Sequence, residues 1–541
     1  MESRPETSSD SKTARLDASG AQTYPATDRP RAVTVPGETF LNLTEAVRCL
    51  AAARPDHLAL IDGDQRLTWR DLGSLVGRVT ARLRSHGLRR GTMVASLAEN
   101  SAAHVAVYLG ALGAGACMVP LPTGAHEAAL GRMALNCDPA LLFASINQSE
   151  VARRLGPSVV DLDDLETWLG EAIPDSQEND LPEPVGPDDL FDMIYSSGTT
   201  GTPKGILHDH RFRSRQVMRM ANHGLNGDAI CLMSTPLYSN TTLVAVLPVL
   251  AYGGTLVVMR KFETQGFLRL AERHRVSHAM LVPVQYRRIL DDPDFGRFDL
   301  SAFRVKLSTS APLPAATIRA ALTRWPGKLI EIYGMTEGGI STMLDCAAHP
   351  DKLDTVGQPV AGAEVRILDS EERPLPPGEI GEVVGRSPTM MVGYHKSPES
   401  TAVILWRSPE GEDFLRTGDM GRLDADGFLT LLDRRKDMIL SGGFNIYAAD
   451  LEQVLLAHPD VAEAAVIAVP SHRWGETPLG LVALGAGATV SAEALRDWAN
   501  AHLGKTQRLA AVEIRESLPR NAIGKVLKRE LRAPYWLEAT T

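Results

Sequence analysis

A loop rich in glycine and hydroxyl side chains, ending in a lysine, holds the residues of this chain best suited to chemistry. Its glycines let the backbone adopt positive φ and approach a ligand closely. Its hydroxyls add donors beside the backbone N–H groups, a combination that suits phosphate oxygens, and Lys204 adds a positive charge. The apolar residues 191–195 predict a strand, at whose end α/β sheets bind ligands. The residues predicted to contact phosphates are Ser196, Ser197, Gly198, Thr199, Thr200, Gly201 and Lys204.

The alternative interpretation of this stretch is a flexible Gly/Thr surface loop. Its order, G-T-T-G-T-P-K-G, also differs from a Walker A loop, in which four residues separate the first glycine from G-K-[ST]. Of two histidines just downstream, His210 is expected to cap the next helix, and His208 is expected to be incidental.

A second candidate motif, Y-G-x-T-E, ends another predicted strand. The ring of Tyr333 can stack on a planar base, and the Thr336 hydroxyl can donate to a phosphate. The Glu337 carboxylate can hold Mg²⁺ with phosphates as co-ligands. The alternative is an ordinary turn from a strand into a loop.

Three later stretches carry charge or flexibility. Asp419, in R-T-G-D, can accept hydrogen bonds from two sugar hydroxyls, or can simply cap a turn. Residues 433–437 (D-R-R-K-D) can be a functional charge cluster or a solvated surface. Lys525, in N-x-x-G-K, can stabilise charge where two anions meet, whereas an isolated lysine near a C-terminus is usually solvated.

Composition excludes several classes of protein. The 541 residues carry a formal net charge of −10, which argues against a nucleic-acid-binding surface. Five scattered cysteines without a C-x-x-C pair make disulfides and structural zinc unexpected and fit a reducing cytoplasm. No secretory signal is expected. Residues 229–259 could suggest a membrane helix, but their prolines and glycines favour a buried helix, a turn and a strand.

The order of predicted elements indicates an α/β fold. Residues 1–37 are rich in Ser, Thr, Pro and charge and predict a disordered tail. Strands and helices then alternate, which predicts parallel, doubly wound sheets. A boundary is expected near residues 433–436, followed by a shorter α+β unit.

In order and spacing, these motifs resemble those of the adenylate-forming superfamily, and residues 435–447 are similar to the corresponding part of acid–CoA ligases. The resemblance covers about residues 38–535. It implies a large N-terminal domain over 38–434 that binds AMP and the acyl group, a hinge at 435–436, and a mobile lid over 437–541. It also implies ATP, Mg²⁺ and CoA as reactants or cofactors, and leaves a homodimer open.

The resemblance assigns roles to individual residues. Lys525, Thr336 and Glu337 would be catalytic, Glu337 also holding the metal, and Lys436 would be the hinge. The further residues implied to bind ATP or AMP are Ser310, Ala311, Pro312, Glu331, Ile332, Tyr333, Gly334, Asp419 and Arg434. Those implied to line the path of CoA are Gly442, Gly443 and Phe444.

The implied acyl pocket is neutral, which favours a fatty, alicyclic or aryl acid and disfavours dicarboxylates. Many acyl-CoA ligases carry a histidine where this chain has Ser239 and Asn240, so the role of that histidine is absent or replaced. No aspartate stands nearby to bind an ammonium, which disfavours amino acids. The pocket positions are Tyr238, Ser239, Asn240, Val282, Gln285, Ser308 and Gly338.

The function implied is that of an ATP-dependent carboxylic acid:CoA ligase working through an acyl-AMP intermediate. One alternative keeps adenylation and changes the acceptor to a separate carrier protein. Another is a non-catalytic nucleotide or acyl sensor, against which the presence of both Glu337 and Lys525 argues.

Overall fold

The computed structural model describes residues 15–16, 22–23, 33–35, 38–156, 158–170, 182–196, 204–434, 437–441, 444–471, 473–504, 508–520 and 525–538. Its α-helices are α1 (Leu43–Ala53), α2 (Trp69–Ser85), α3 (Ala102–Gly113), α4 (Glu127–Cys137), α5 (Ser149–Arg154), α6 (Leu165–Leu169), α7 (His210–Ala221), α8 (Asn240–Tyr252), α9 (Thr264–Arg273), α10 (Pro283–Leu290), α11 (Ala315–Arg324), α12 (Pro398–Val403), α13 (Ala448–Leu456), α14 (Ala492–His502) and α15 (Lys528–Glu538).

The strands of the N-terminal part are β1 (Arg15–Leu16), β2 (Gln22–Thr23), β3 (Val33–Val35), β4 (Glu38–Phe40), β5 (Leu58–Asp62), β6 (Gln65–Thr68), β7 (Met93–Leu97), β8 (Cys117–Pro120), β9 (Leu141–Ala144), β10 (Val159–Asp161), β11 (Leu190–Ser196), β12 (Lys204–Asp209), β13 (Ile230–Met233), β14 (Thr255–Val258), β15 (His278–Leu281), β16 (Val305–Ser308), β17 (Lys328–Gly334), β18 (Ser341–Asp345) and β19 (Gln358–Pro359). The later strands are β20 (Glu364–Leu368), β21 (Gly381–Arg386), β22 (Gly393–Tyr394), β23 (Leu405–Arg407), β24 (Asp413–Leu423), β25 (Leu429–Arg434), β26 (Ile439–Ser441), β27 (Phe444–Ile446), β28 (Val461–Ser471), β29 (Gly475–Leu484) and β30 (Ala511–Arg515).

Two large sheets form the body of the molecule. One has the strand order β10-β9-β7-β8-β11-β12-β22, and the other β19-β18-β17-β16-β15-β13-β14-β5-β6. The inner strands of both run parallel, while β12, β22, β18, β19 and β6 pair antiparallel at the edges. The prediction of parallel sheets alternating with helices is confirmed.

The largest core joins the two sheets through α1, α2, α3 and α8. Leu72, Leu109 and Leu247 of these helices cluster with Val94 and Leu256 of the two sheets. Helix α8 is apolar on nearly every side, as expected of a helix packed all round. It ends at Gly253, where φ is +86°, and β14 follows. The prediction of a buried helix, a turn and a strand is therefore confirmed, and no helix in the described part of the chain is long and apolar enough to cross a membrane.

Two smaller sheets follow the body. Strands β20, β21, β23, β24 and β25 form an antiparallel sheet whose long strand β24 pairs with β21, β23 and β25. Strands β26 to β30 form the last sheet, which packs with α13 and α14 around its own core, including Leu451, Val482 and Leu495. The predicted smaller α+β unit is therefore present. Residues 435–436, the expected hinge, lie outside the described residues.

Candidate active site

The glycine- and hydroxyl-rich loop connects two antiparallel strands. Ser196, the last residue of β11, pairs with Lys204, the first residue of β12. Strand β11 also runs parallel to β8, so the loop leaves the carboxyl edge of the parallel sheet, where ligands are expected. The predicted phosphate contacts Ser197, Gly198, Thr199, Thr200 and Gly201 lie outside the described residues.

Lys204 and Glu337 come together through a tyrosine that the sequence did not single out. The ammonium of Lys204 lies 4.9 Å from the centre of the Tyr394 ring. The hydroxyl of Tyr394 donates to Oε1 of Glu337 at 2.7 Å. Burial, reinforced by the Glu337 carboxylate, raises the pKa of Tyr394, so this hydroxyl remains a donor at ordinary pH. Tyr394 reaches the site because β22 pairs with β12, a register that no local sequence pattern encodes.

The donor set at Glu337 fits a magnesium ion shared with phosphates. Glu337 is 9% exposed, and one of its oxygens accepts from Tyr394. In the described part of the chain no group of three or more His, Cys, Asp or Glu side chains could hold a metal alone. Mg²⁺ in nucleotide sites commonly takes one or two carboxylates and completes its shell with water and phosphate oxygens. A single carboxylate beside a phosphate loop is consistent with that arrangement.

The turn that carries Thr336 and Glu337 is fixed by its neighbours. Strand β17 ends at Gly334, and the N–H of Gly338 donates to the carbonyl of Met335 at 3.0 Å. The N–H of Gly339 donates to the carbonyl of Thr389 at 2.7 Å. Gly338 is buried with φ of +73°, and an added Cβ would overlap with Thr389. The positive φ and the close approach of Thr389 therefore explain why this predicted pocket residue is glycine.

The residues expected to hold the base and the ribose lie together. The hydroxyl of Tyr333 donates to Oδ2 of Asp419 at 2.6 Å. Asp419 lies within the long strand β24 rather than at a turn, and it pairs with Arg434 across β25. The tertiary structure thus brings Tyr333 together with Asp419, which lies 86 positions later in the chain, and Asp419 pairs with Arg434.

The small-residue segment after β16 has mixed surroundings. Ser310 has φ of +78°, and its hydroxyl lies 2.7 Å from that of Thr241 at the start of α8. Ala311 is half-buried and Pro312 is exposed. Ile332 is half-buried and packs against the main core.

Glu331 lies inside the protein, beside Ser308 of the neighbouring strand. The two residues are register partners across β16 and β17, and both are buried. Burial raises the pKa of Glu331 to about 7, partly opposed by the Ser308 hydroxyl and the backbone N–H of Leu313. The predicted contact of Glu331 with ATP remains a prediction.

Several predicted acyl-pocket residues are engaged by the protein itself. The side chain of Asn240 accepts from Nη1 of Arg213 at 2.7 Å. The side chain of Gln285 accepts from the backbone N–H of Val282 at 3.0 Å, at the start of α10. Tyr238 and Ser239 are buried, and burial raises the pKa of Tyr238 to about 12.

A buried polar network on β11, β12 and α7 was missed from the sequence. Asp192 and His208 face each other on β11 and β12, and Arg213 of α7 pairs with Asp192 at 2.8 Å. All three side chains are almost completely buried. His208 is therefore not incidental, and that expectation was wrong.

The expectation that His210 caps a helix is also wrong. Asp209 is the N-cap of α7, and its side chain accepts from the N–H of Phe212 at 2.7 Å. His210 is buried among Phe40 and Phe191, and neither of its ring nitrogens has a hydrogen-bond partner among the described residues. Burial lowers its pKa to about 4, so it is a neutral core residue.

The smaller C-terminal domain contacts the body through a forked carboxylate. Oε1 of Glu463 accepts from Arg287 of α10 at 2.8 Å, and Oε2 accepts from Arg520 at 2.8 Å. Arg287 also donates to the carbonyl of Ala462 at 2.7 Å. Arg520 and Val526 form a bridge around the segment that leads to Lys525, which is half-buried.

The other predicted site residues between Arg434 and Phe444 are described in part or not at all. Lys436, Gly442 and Gly443 lie outside the described residues, and only the backbone of Phe444 and of Arg434 is described. Their predicted roles remain predictions.

Comparison with known proteins identifies two family matches along the chain. Residues 48–395 match the model of AMP-binding enzymes, and residues 450–525 match that of the AMP-binding enzyme C-terminal domain.

Individual relatives match over nearly the whole chain. A feruloyl-CoA synthase from Amycolatopsis sp is 33% identical over 489 residues, covering 90% of this chain and 97% of the relative. The fatty acid–[acyl-carrier-protein] ligase ScoC of Streptomyces coeruleorubidus is 31% identical over 506 residues, covering 90% and 95%. The solved structure of o-succinylbenzoate CoA synthetase from Bacillus subtilis, in complex with its acyl-adenylate intermediate, has 27% identity and a TM-score of 0.79, covering 90% and 97%.

Proposed function

Because the chain belongs to the family of AMP-binding enzymes and is an AMP-forming acid–thiol ligase, we propose that it joins a neutral carboxylic acid to CoA through an acyl-AMP intermediate formed at the site described above. The observation that carries the assignment of this site is the cluster of Lys204, Tyr394 and Glu337 at the end of the phosphate loop. This arrangement supports a role of Lys204 in binding phosphate and of Glu337 in holding a metal.

In the first half-reaction, an oxygen of the substrate carboxylate attacks the α-phosphate of ATP. A new P–O bond forms, the bond from the α-phosphorus to the bridging oxygen breaks, and pyrophosphate leaves with the bonding electrons. Lys204 and the loop hydroxyls bind the phosphates, and Lys525 stabilises the charge that builds between the two anions. Glu337 would hold Mg²⁺, which when bound neutralises phosphate charge.

Tyr333, Asp419 and Arg434 would hold the nucleoside during this step. The hydrogen bond from Tyr333 to Asp419 orients both the aromatic ring and the carboxylate before the nucleotide arrives. Such preorganisation reduces the ordering required on binding.

In the second half-reaction, the thiol of CoA attacks the acyl-AMP carbonyl. The C–S bond forms, the thiol proton passes to solvent, the bond from the carbonyl carbon to the phosphate oxygen breaks, and AMP leaves with the bonding electrons. The smaller domain would rotate about Lys436, withdrawing Lys525 and bringing Gly442, Gly443 and Phe444 to the path of the thiol. Such a movement gates the two steps without taking part in the chemistry.

The substrate is a neutral fatty, alicyclic or aryl acid, and the aryl class is favoured by the similarity to feruloyl-CoA synthase. The buried cation nearest the pocket residue Asn240, Arg213, is already paired with Asp192, so it does not serve a second substrate carboxylate. This pairing supports the expectation that dicarboxylates are disfavoured.

A carrier protein is the second candidate acceptor, supported by the similarity to ScoC. The cytoplasm is the proposed compartment, because none of the five cysteines, all of them in the described part of the chain, forms a disulfide and four are buried.

The test is AMP and pyrophosphate release from ATP with a panel of aryl, fatty, alicyclic and dicarboxylic acids, with and without CoA. The expected result is CoA-dependent AMP release with one class of neutral acid, and none from a Lys525→Ala variant. Pyrophosphate release that stops at bound acyl-AMP despite CoA would favour the carrier protein. Silence across the panel would refute the acid classes named here.

A further inference from the structure

The buried network of Asp192, His208 and Arg213 contains a histidine for which the reaction outlined above has no role. Asp192 and His208 are register partners on adjacent antiparallel strands, so their side chains lie on the same face of the sheet. Both are fully buried. Burying charged groups costs free energy unless every one of them is paired. The contacts of the network indicate which part of the protein it holds in place.

Asp192 is an anchor whose oxygens are saturated. Oδ2 accepts from the Tyr108 hydroxyl at 2.7 Å and from Nε of Arg213 at 3.0 Å, while Oδ1 accepts from Nη2 of Arg213 at 3.0 Å. Burial alone would raise the pKa of Asp192, but Arg213 and His208 outweigh it and lower the pKa to about 2. Asp192 is therefore a carboxylate that can only accept.

His208 links this anchor to the catalytic turn. Its Nδ1 lies 2.6 Å from Oδ1 of Asp192, and its Nε2 lies 2.7 Å from the backbone carbonyl oxygen of Thr336. The carbonyl only accepts, so Nε2 donates to it, while Nδ1 faces both Oδ1 of Asp192 and, at 3.1 Å, Nη2 of Arg213. The ring also stacks on Phe212, with centroids 4.2 Å apart. Its orientation is thus fixed from three sides.

The carbonyl of Thr336 belongs to the peptide group that joins Thr336 to Glu337. Because a peptide group is planar, fixing the direction of its carbonyl also fixes the N–H of Glu337 and limits where both side chains point. We infer that His208, anchored by Asp192, is a positioning residue for adenylation, holding the Thr336 hydroxyl and the Glu337 carboxylate toward the triphosphate. This inference rests on the proposed function of that turn.

Two substitutions of His208 test separately the contacts that its two ring nitrogens make. In His208→Gln, the amide nitrogen reaches the place of Nε2 and can still donate to the Thr336 carbonyl. In His208→Asn, the amide nitrogen reaches the place of Nδ1, keeps the contact with Asp192 and loses the one to Thr336. If His208 positions the turn, the Gln variant should keep more ATP affinity than the Asn variant. If His208 only pairs with Asp192, the Asn variant should keep more.

The measurement is calorimetric titration of wild type and both variants with ATP in excess Mg²⁺, and separately with AMP, together with thermal midpoints. For His208→Asn we expect ATP affinity to fall about tenfold, the loss expected for one buried hydrogen bond. Its AMP affinity should stay close to that of wild type, because AMP lacks the phosphates that face Glu337. His208→Gln should keep most of the preference for ATP. In ATP–pyrophosphate exchange, His208→Asn should lower kcat more than it changes the KM for the acid.

His104 supplies a matched control. It is equally buried, and its ring lies 2.8 Å from the Ser96 hydroxyl and 3.1 Å from the Glu99 carbonyl, away from the turn. His104→Asn should lower the thermal midpoint and leave the ratio of ATP to AMP affinity unchanged.

The inference is overturned if the Asn variant binds ATP as well as the Gln variant, or if ATP and AMP affinities fall together as stability falls. If His208→Asn does not fold, His208→Gln decides alone, and loss of its preference for ATP overturns the inference. Because these titrations need no acid, a wild-type protein that binds ATP yet converts no acid would count against the proposed function and not against the role of His208.

Discussion

Glu331 and Glu337 lie six residues apart in one motif, yet their carboxyl groups have different surroundings. Glu337 accepts from Tyr394 beside the phosphate loop, with the Lys204 ammonium over the same tyrosine ring. Glu331 is enclosed between β16 and β17, where burial raises its pKa to about 7. The same residue type therefore supplies one carboxyl group at the site and one buried carboxyl that folding favours in its neutral form.

The buried carboxyl predicts a pH dependence of stability. Because the pKa of Glu331 is about 7 in the folded protein and near 4.5 otherwise, its protonated form favours folding below about pH 4.5. That contribution is lost as pH rises toward and past 7. Relative to wild type, Glu331→Gln should gain roughly 2–3 kcal/mol of unfolding free energy between about pH 5 and about pH 8. Denaturant unfolding of both proteins at the two pH values measures this difference, and parallel changes in stability would contradict it.

At the scale of elements, the turn after β17 depends on close approach between backbones. Gly338 has φ of +73° and lies against Thr389, which precedes β22, the strand that brings Tyr394 to the site. The close contact between the Gly338 and Thr389 backbones therefore shapes the Thr336–Glu337 turn and determines the path of β22.

Substitution of Gly338 should be far more costly than substitution of a glycine with the same backbone conformation and open space. Gly338→Ala combines a strained φ with overlap against Thr389 and the Phe212 ring, and should lower the free energy of unfolding by about 3 kcal/mol or more. Gly427, in the hairpin turn between β24 and β25, has φ of +82° and nothing within 4 Å of an added Cβ. Gly427→Ala should cost only about 1–2 kcal/mol. Equal losses in denaturant unfolding would show that packing at Gly338 is unimportant.

At the scale of the whole molecule, the contact between the body and the smaller domain has a defined chemical form. Glu463 uses one oxygen for Arg287 on the body and the other for Arg520, the residue just before the segment that leads to Lys525. The contact therefore joins α10, which follows the predicted pocket residue Val282, to the base of the segment that carries the predicted catalytic lysine.

Removing Arg287, which supplies the body's side of this contact, should slow adenylation and leave the transfer to CoA unchanged. The Arg287–Glu463 pair is partly exposed, so its loss should cost about 1 kcal/mol, or roughly a fivefold fall in adenylation. Pyrophosphate exchange by Arg287→Ala would measure that fall, while transfer to CoA from supplied acyl-AMP should be unchanged. Arg269→Ala is the control, since Arg269 pairs with Glu263 on the body alone. An equal fall in both half-reactions would refute a role in domain placement.

The sequence by itself determined the motifs, their order and the alternation of strands and helices. These depend on local properties: glycines that permit positive φ, apolar runs that form buried strands, and short spacings within one turn. They were enough to predict doubly wound sheets, the smaller α+β unit, and the family to which the chain belongs. Where predicted residues lie outside the described part, as at 197–203 and 442–443, their roles remain predictions.

Only the tertiary structure decided which distant residues complete the site. Tyr394 meets Glu337 across 57 positions, and His208 meets Thr336 across 128. Such pairs follow from strand register and from which sheet edges meet, and those depend on the packing of the whole core. The same packing placed His210 in an apolar environment and His208 between two acceptors, although the two histidines are only two residues apart. His208 lies on strand β12 and His210 begins helix α7, so their side chains point in different directions. The local sequence therefore did not distinguish the roles of these two histidines.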